Sequence, residues 1–415
     1  MHGRKTVPAD QFGHYSDRVV EGIMTTNPRQ CIRFVVLIAL ATRAVTAFAN
    51  PPPSFMGLGD LPGGNTLSRA WGVSEDGAVV VGESYSAQGL EAFRWTSSGG
   101  MVGLGNLPGG SSYSFGLGTS ADGGVVVGGS NSAAMRQAFR WTSTAGMTTL
   151  PGGAPDTDAF ACSADGSVIV GRWGERAFRW SENDGLVGLG DLGLPIDNYA
   201  SDVSSDGAVI VGRSGSSMGY EGFRWTQSTG MVGLGFLPGG AFSDARAVSA
   251  DGSVIVGNGF SQYGNEAFRW TLSDGMLGLG DLPGGEFNSI ATAVSSDGSV
   301  IVGIGTSEDN GFEGMIWTAE TGMKPLRIVL AQEYGLDLTG WTLLEPAGIS
   351  SDGLVIVGSG YGPNGYEAWR AVVPEPSTSV TLALGSLFIL VRRIRKPCNR
   401  RAHVRHGRNC FGLTQ

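Results

Sequence analysis

One unit recurs seven times between Trp71 and Val373: a serine ahead of an Asp-Gly pair, a Val/Ile run ending in Gly, an aromatic-Arg-Trp type triplet and a Gly-Met-Leu-Gly type segment. The Asp-Gly pairs start at Asp76, Asp122, Asp165, Asp206, Asp251, Asp297 and Asp352, spaced 46, 43, 41, 45, 46 and 55 residues apart. A period in the forties belongs to propeller blades or helical arrays. The β-branched runs (Val79 to Val81, Val168 to Val170, Val254 to Val256), the alternation of Phe93 with Trp95 and the glycines at the boundaries suit strands and not helices.

Within residues 70–105 the expected order is a strand over Ala70 to Ser74, a two-residue type I′ turn at Asp76-Gly77, a strand over Ala78 to Gly82, a third over Glu91 to Thr96 and a fourth over Met101 to Gly105. Four antiparallel strands make one blade. The expected fold class is all-β, a seven-bladed β-propeller of four-stranded antiparallel blades. Ring closure follows from the ends: an orphan fourth strand, Phe55 to Gly59, precedes the first unit, and none follows the seventh third strand. The N-terminal strand is therefore expected to join the last blade through Glu367 to Val372, removing an exposed edge. Phe93/Trp95 and their repeats should fill the space between blades. The Arg between them (Arg94, Arg140, Arg179, Arg224, Arg269) calls for a turn Asp or a preceding Glu (Glu91, Glu221, Glu266) as partner. Pro325 to Tyr334 is expected to form a short helix.

Charge is unevenly spread. Residues 50–376 hold 14 basic and 34 acidic residues, a net −20, whereas residues 377–415 hold eight basic residues and no acid. Such a module repels nucleic acid. All four His (His2, His14, His403, His406) and three of the four Cys lie outside it, so it builds no Ser-His-Asp triad, Cys-His dyad or ordinary zinc site. Cys162 stands where other units have Val73 or Val248, and reads as a buried thiol.

Two segments address the protein. Residues 1–49 read as a secretory signal, with an apolar core from Phe34 to Ala41 behind basic residues and a small-x-small cleavage site at Ala47 and Ala49. Starting at Met24 would give this signal ordinary proportions. Residues 374–396 combine Pro374-Glu375-Pro376, a short apolar span from Ser379 to Val391 and a basic cluster including Arg392, Arg393 and Arg395; residues 397–415 form a basic tail. The apolar span rises roughly 20 Å as a helix against a hydrocarbon core of about 30 Å, a short transmembrane segment whose basic flank stays cytoplasmic.

The Pro-Glu-Pro, apolar and basic order resembles the PEP-CTERM sorting signal. That resemblance implies an exosortase and the secretion machinery as partners, and release or attachment at the cell surface or extracellular matrix after transient anchoring in the inner membrane. The units themselves, with Ser249-Ala-Asp251-Gly-Ser-Val-Ile-Val-Gly257, Glu266-Ala-Phe-Arg-Trp-Thr271 and Leu279-Gly-Asp-Leu-Pro-Gly-Gly285, resemble the HAF family of extracellular repeats over residues 55–372. The resemblance implies location and architecture rather than chemistry.

Three sets of residues are candidates for function. The seven turn Asp are read as structural; one carboxylate per turn is too few for calcium, the one cofactor their oxygens suit. Residues after the Leu-Pro-Gly-Gly loops, including Tyr113, Tyr199, Phe242 and Phe287, and the tyrosines of the second loops (Tyr85, Tyr220, Tyr263, Tyr361) have the mix of ring faces and polar groups that binds extracellular polysaccharide. Asp156, Asp158, Asp197, Asp244 and Glu286 are the acids from which a glycoside hydrolase or lyase would pair two. The expected function is that of a non-catalytic surface protein binding polysaccharide or another surface protein, with the hydrolase or lyase as the alternative.

Overall fold

The computed structural model describes residues 52–151, 155–308 and 311–373. The signal segment with Ala47 and Ala49, the sorting segment with Pro374, Glu375, Pro376, Arg392, Arg393 and Arg395, and the tail lie outside the described residues.

The described chain is all-β apart from one short helical stretch, α-type over Leu326–Ile328 and π-type over Val329–Glu333. None of its helices is long and apolar enough to cross a membrane. The strands form three four-stranded and two eight-stranded sheets, none of which closes on itself. Each eight-stranded sheet is two four-stranded antiparallel units joined at one parallel pair, Leu67 with Tyr366 or Asn265 with Asn288. The first unit runs through Gly63–Val73, Val79–Ser86, Gly89–Thr96 and Gly100–Gly103, so its inner strand starts well before Ala70. The last unit takes Thr342–Ile349, Val355–Gly362 and Gly365–Val372 from the end of the chain and its fourth strand, Ser54–Gly57, from the beginning. Ser54 pairs with Val372 and Gly57 with Trp369.

The Asp-Gly turns differ from the expected type I′. Among the described residues, Asp156 and Asp197 are the non-glycines with positive φ, so the turn Asp stay right-handed and only the Gly is left-handed, φ 68° at Gly77. Gly77 N–H donates to the Ser74 carbonyl at 2.9 Å, which makes Glu75 and Asp76 the centre of a type I turn followed by a left-handed Gly. Side chains decide this. Asp76 Oδ1 accepts both the Ser74 hydroxyl (2.7 Å) and the Ala78 N–H (2.9 Å), while Ser74 Oγ accepts the Val79 N–H (2.9 Å). The same Ser-to-Asp bond recurs at Asp122, Asp165, Asp206, Asp251, Asp297 and Asp352. It holds the carboxyls of Asp76, Asp122, Asp165, Asp206 and Asp297 below the usual range, Asp165 at about 2.

Neighbouring units meet face to face through their Val/Ile runs and Phe rings. Phe93, Phe139, Phe178, Phe223 and Phe268 are fully buried. Each core cluster draws on two successive units, and one contains Val355 and Val357 of the last unit together with Val80 and Phe93 of the first. The triplet arginines reach neither a turn carboxylate nor the preceding Glu as a rule. Arg94 Nε donates to the Gly123 carbonyl at 2.9 Å and Arg370 Nε to the Gly77 carbonyl at 3.0 Å, in each case on the next unit's turn, whereas Arg179 pairs with Asp184 at 2.9 Å. Glu91, Glu221 and Glu266 instead accept the N–H of Gly105, Gly235 and Gly280.

The residues just after the turn serines form a backbone series between units. Glu75 N–H donates to the Ala121 carbonyl, Ala121 to Ala164, Ala164 to Ser205, Ser205 to Ala250, Ala250 to Ser296, Ser296 to Ser351, and Ser351 back to Glu75, all at 2.9–3.2 Å.

Candidate functional site

In every inner strand the antiparallel register slips by one residue. The slips fall between Ala70 and Gly72, Gly116 and Gly118, Ala159 and Ala161, Ala200 and Asp202, Ala245 and Ala247, Ala291 and Ala293, and Pro346 and Gly348. The residue left off the ladder is Trp71, Leu117, Phe160, Ser201, Arg246, Thr292 or Ala347. A bulge re-aims the side chain of its extra residue, and all seven line one cavity of about 290 Å³. Small residues flank them because inner strands approach closely: a Cβ on Gly118 would lie 2.9 Å from the Phe160 carbonyl oxygen. The cavity shares Val73, Thr119, Cys162, Asp202, Val294 and Ile349 with a second one of about 170 Å³, whose far end is bounded by the backbone series from Glu75 to Ser351.

In the fourth unit Asp202 replaces the small residue. Its Oδ1 accepts the Val203 N–H at 2.8 Å and its Oδ2 the Val248 N–H of the next unit at 2.9 Å. Asp202 lines the cavity half-buried, and burial pushes its carboxyl up to about 6 against these two bonds. Cys162 lines the cavity and also packs, half-buried, against the core cluster of Ala159, Ile169 and Phe178. Burial, and then the charge of Asp202, pushes its thiol up to about 12, which keeps it protonated at neutral pH.

A pH dependence follows. Between its unfolded value of 3.8 and about 6, Asp202 holds its proton more tightly in the folded chain. Stability falls as pH rises through that window, and the whole cost is present above it. Two pH units correspond to at most roughly 3 kcal/mol, with the two hydrogen bonds already included in the shift. Asp202→Ala installs the residue found at Ala161, Ala247 and Ala293. Melting curves from pH 4 to 8 are expected to lose that slope, and a slope equal to that of the unaltered chain would show that another group titrates.

Around Arg246 lies a layer of ion pairs. Asp244, 1% exposed, accepts the Tyr199 hydroxyl at 2.9 Å and pairs with Arg246 at 3.4 Å and Arg213 at 3.9 Å. Burial pushes its carboxyl up, opposed by those two guanidiniums and the hydroxyl. Arg213 also pairs with Asp197 and lies over the rings of Tyr199 (4.9 Å) and Tyr220 (4.8 Å). Asp158, equally buried, takes Arg136 and Arg172 (3.3 Å), and Arg69 meets Glu83 at 3.4 Å. A buried carboxylate persists only when paired in this way.

Of the acids read from the sequence, Asp197 and Asp244 are brought together on Arg213, Asp158 is clasped by two arginines, Asp156 uses its backbone to bridge Arg136 and Gly174, and Glu286 stands exposed on the unit after that of Asp244. Asp158 and Asp244 thus serve as anchors for arginines. Tyr263 and Tyr361 lie exposed, against Phe287 (5.6 Å) and Tyr366 (5.2 Å), whereas Tyr220 is covered by Arg213. Among the described residues no three His, Cys, Asp or Glu converge as metal ligands. Sequence reasoning missed the bulge residues, Asp202 and Arg69, Arg136, Arg172, Arg213 and Arg246. Their signal was a charged or aromatic residue at places where the other units hold something else.

No protein-family model and no curated protein matches the chain. Among solved structures it is similar to virginiamycin B lyase from Staphylococcus aureus (18% identity, 77% of this chain and 99% of that one, TM-score 0.49) and to an oligogalacturonate lyase in complex with manganese (11%, 78% and 97%, 0.48). It is also similar to TolB from Acinetobacter baumannii (14%, TM-score 0.41), covering 61% of each chain and so less than two thirds of TolB's length. At these identities and scores the likenesses assign neither fold nor activity.

Proposed function

We propose that the chain is an exported, seven-bladed β-propeller that binds extracellular polysaccharide through its axial cavity without cleaving it. The return of the backbone series from Ser351 to Glu75, together with the core shared by the last and first units, supports a closed ring of seven. One observation carries the binding reading. Seven units repeat their turn, run and triplet, yet the seven bulge residues on the cavity are all different and include two aromatics, two hydroxyls and a cation. A scaffold with unlike side chains converging on a concavity is what a ligand site needs. Aromatic faces stack on sugar rings and hydroxyls pair with hydroxyls.

The Ala47 and Ala49 signal and the Pro374-Glu375-Pro376 segment with its basic cluster support export, exosortase sorting and display at the surface or in the matrix. The test uses the full chain in its host. The protein is expected in the extracellular fraction, sedimenting with the host's polysaccharide and releasing no new reducing ends or unsaturated products. Retention in the cytosol would sink the export reading, and new ends in proportion to the protein added would favour the hydrolase or lyase.

A further inference from the structure

The cavity has unlike ends. At one, the bulge residues surround an opening where the Arg246 side chain keeps 41% of its surface. At the other, the linked residues are Ala or Ser except for Glu75, and Glu75 Oε1 accepts the Ser205 hydroxyl at 3.2 Å. Ser205 lies three units further on, as nearly opposite Glu75 as a seven-membered series allows, so the Glu75 side chain bars that end.

We propose that this pocket takes the terminus of a saccharide chain end-on, and neither threads the chain nor cradles its middle. The inference rests on the axial-cavity reading above and adds which part of the polymer is bound. An internal sugar carries glycosidic bonds on two sides and needs two exits, whereas a barred pocket has one. The volume of about 290 Å³, with about 170 Å³ adjoining it toward Glu75, is at the small end of ligand pockets, room for a short terminal segment and little more. Trp71 and Phe160 offer ring faces, and Ser201 and Thr292 offer hydroxyls. Asp202 faces the interior with its outer lone pairs, each oxygen accepting one backbone N–H. Arg246 is matched by Asp244, and Asp202, held only by backbone N–H groups, favours the hydroxyls of a neutral sugar over an anionic one.

The experiment measures competition by calorimetry on the full chain, with the host polysaccharide intact and after graded mild acid cleavage, at equal mass. Competition per unit mass is expected to rise in proportion to chain ends, tenfold more ends giving roughly tenfold stronger competition. Trp71→Ala, or the milder Phe160→Leu, is expected to weaken the short oligosaccharides by roughly tenfold while the melting transition persists. If the polymer binds but cleavage leaves competition per mass unchanged or lowers it, end recognition is wrong and polysaccharide binding stands. If neither polymer nor fragments bind, both readings fall.

Discussion

A chain lacking residues 52–64 is expected to melt about 7 °C or more below the full protein and to self-associate. Ser54–Gly57 runs antiparallel to Trp369–Val372, and the bonds continue past it: Leu58 N–H to the Ala368 carbonyl (2.8 Å), Gly59 N–H to Glu367 Oε1 (2.8 Å) and Leu61 N–H to Ser84 Oγ (3.0 Å). Leu58 and Leu61 are buried in the core cluster that joins the last unit to the first, and Phe55 packs edge-on to Trp341 at 5.0 Å. Truncating a buried leucine costs about 2–5 kcal/mol, so losing two of them with Phe55 removes roughly 5 kcal/mol or more, at about 1.5 °C per kcal/mol for a domain of about 320 residues. It also strips the partner from one side of Gly365–Val372, leaving an open edge that invites strand pairing between chains. Calorimetry with size-exclusion chromatography checks both effects. An unchanged transition would mean that the N-terminal strand decorates an already stable sheet.

The strand pairing of residues 54–57 could be read from the sequence because an orphan segment and a missing one are both countable. The Val/Ile runs and Phe-Arg-Trp triplets were equally legible, since a two-residue alternation with β-branched side chains has few other uses. The turn was misjudged because Asp-Gly spells both turn types. What selects type I is the serine two positions earlier, whose hydroxyl bonds to Asp76 and accepts the Val79 N–H. The partner of Arg94 was invisible for a different reason. It is a backbone carbonyl, Gly123, on a neighbouring unit, and carbonyls leave no mark in the sequence. The bulges were hidden too: Trp71 or Thr292 off the ladder looks like any strand residue until the pairing of both strands is known. The site therefore lay in departures from the repeat at the inner strands, where reading for loops and turns does not look.

The glycine that ends each Val/Ile run yields the other large effect. Gly212 pairs with Phe223 across the ladder, and a Cβ there would lie 2.0 Å from the Tyr199 carbonyl oxygen and 3.0 Å from the Phe223 ring. Phe223 is fully buried among Val168, Val170, Ile210 and Ala200. Phe223→Ala is expected to cost about 3–5 kcal/mol through lost burial and the void left behind. Gly212→Ala is expected to cost at least the roughly 1–3 kcal/mol typical of overpacking, because its nearest neighbour is a backbone oxygen that cannot swing aside. The double variant separates the two obstacles. If the carbonyl is the harder one, shrinking the ring rescues little, and the two losses add to within about 0.5 kcal/mol in urea unfolding. Recovery of more than about 1 kcal/mol would assign the glycine to the ring instead. Gly82 stands in the same place opposite Phe93, 1.8 Å from the Arg69 carbonyl oxygen by the same measure, so the same result is expected there. The run ends in Gly, then, because the carbonyl two residues before the bulge, that of Tyr199 or Arg69, takes the space a Cβ would need.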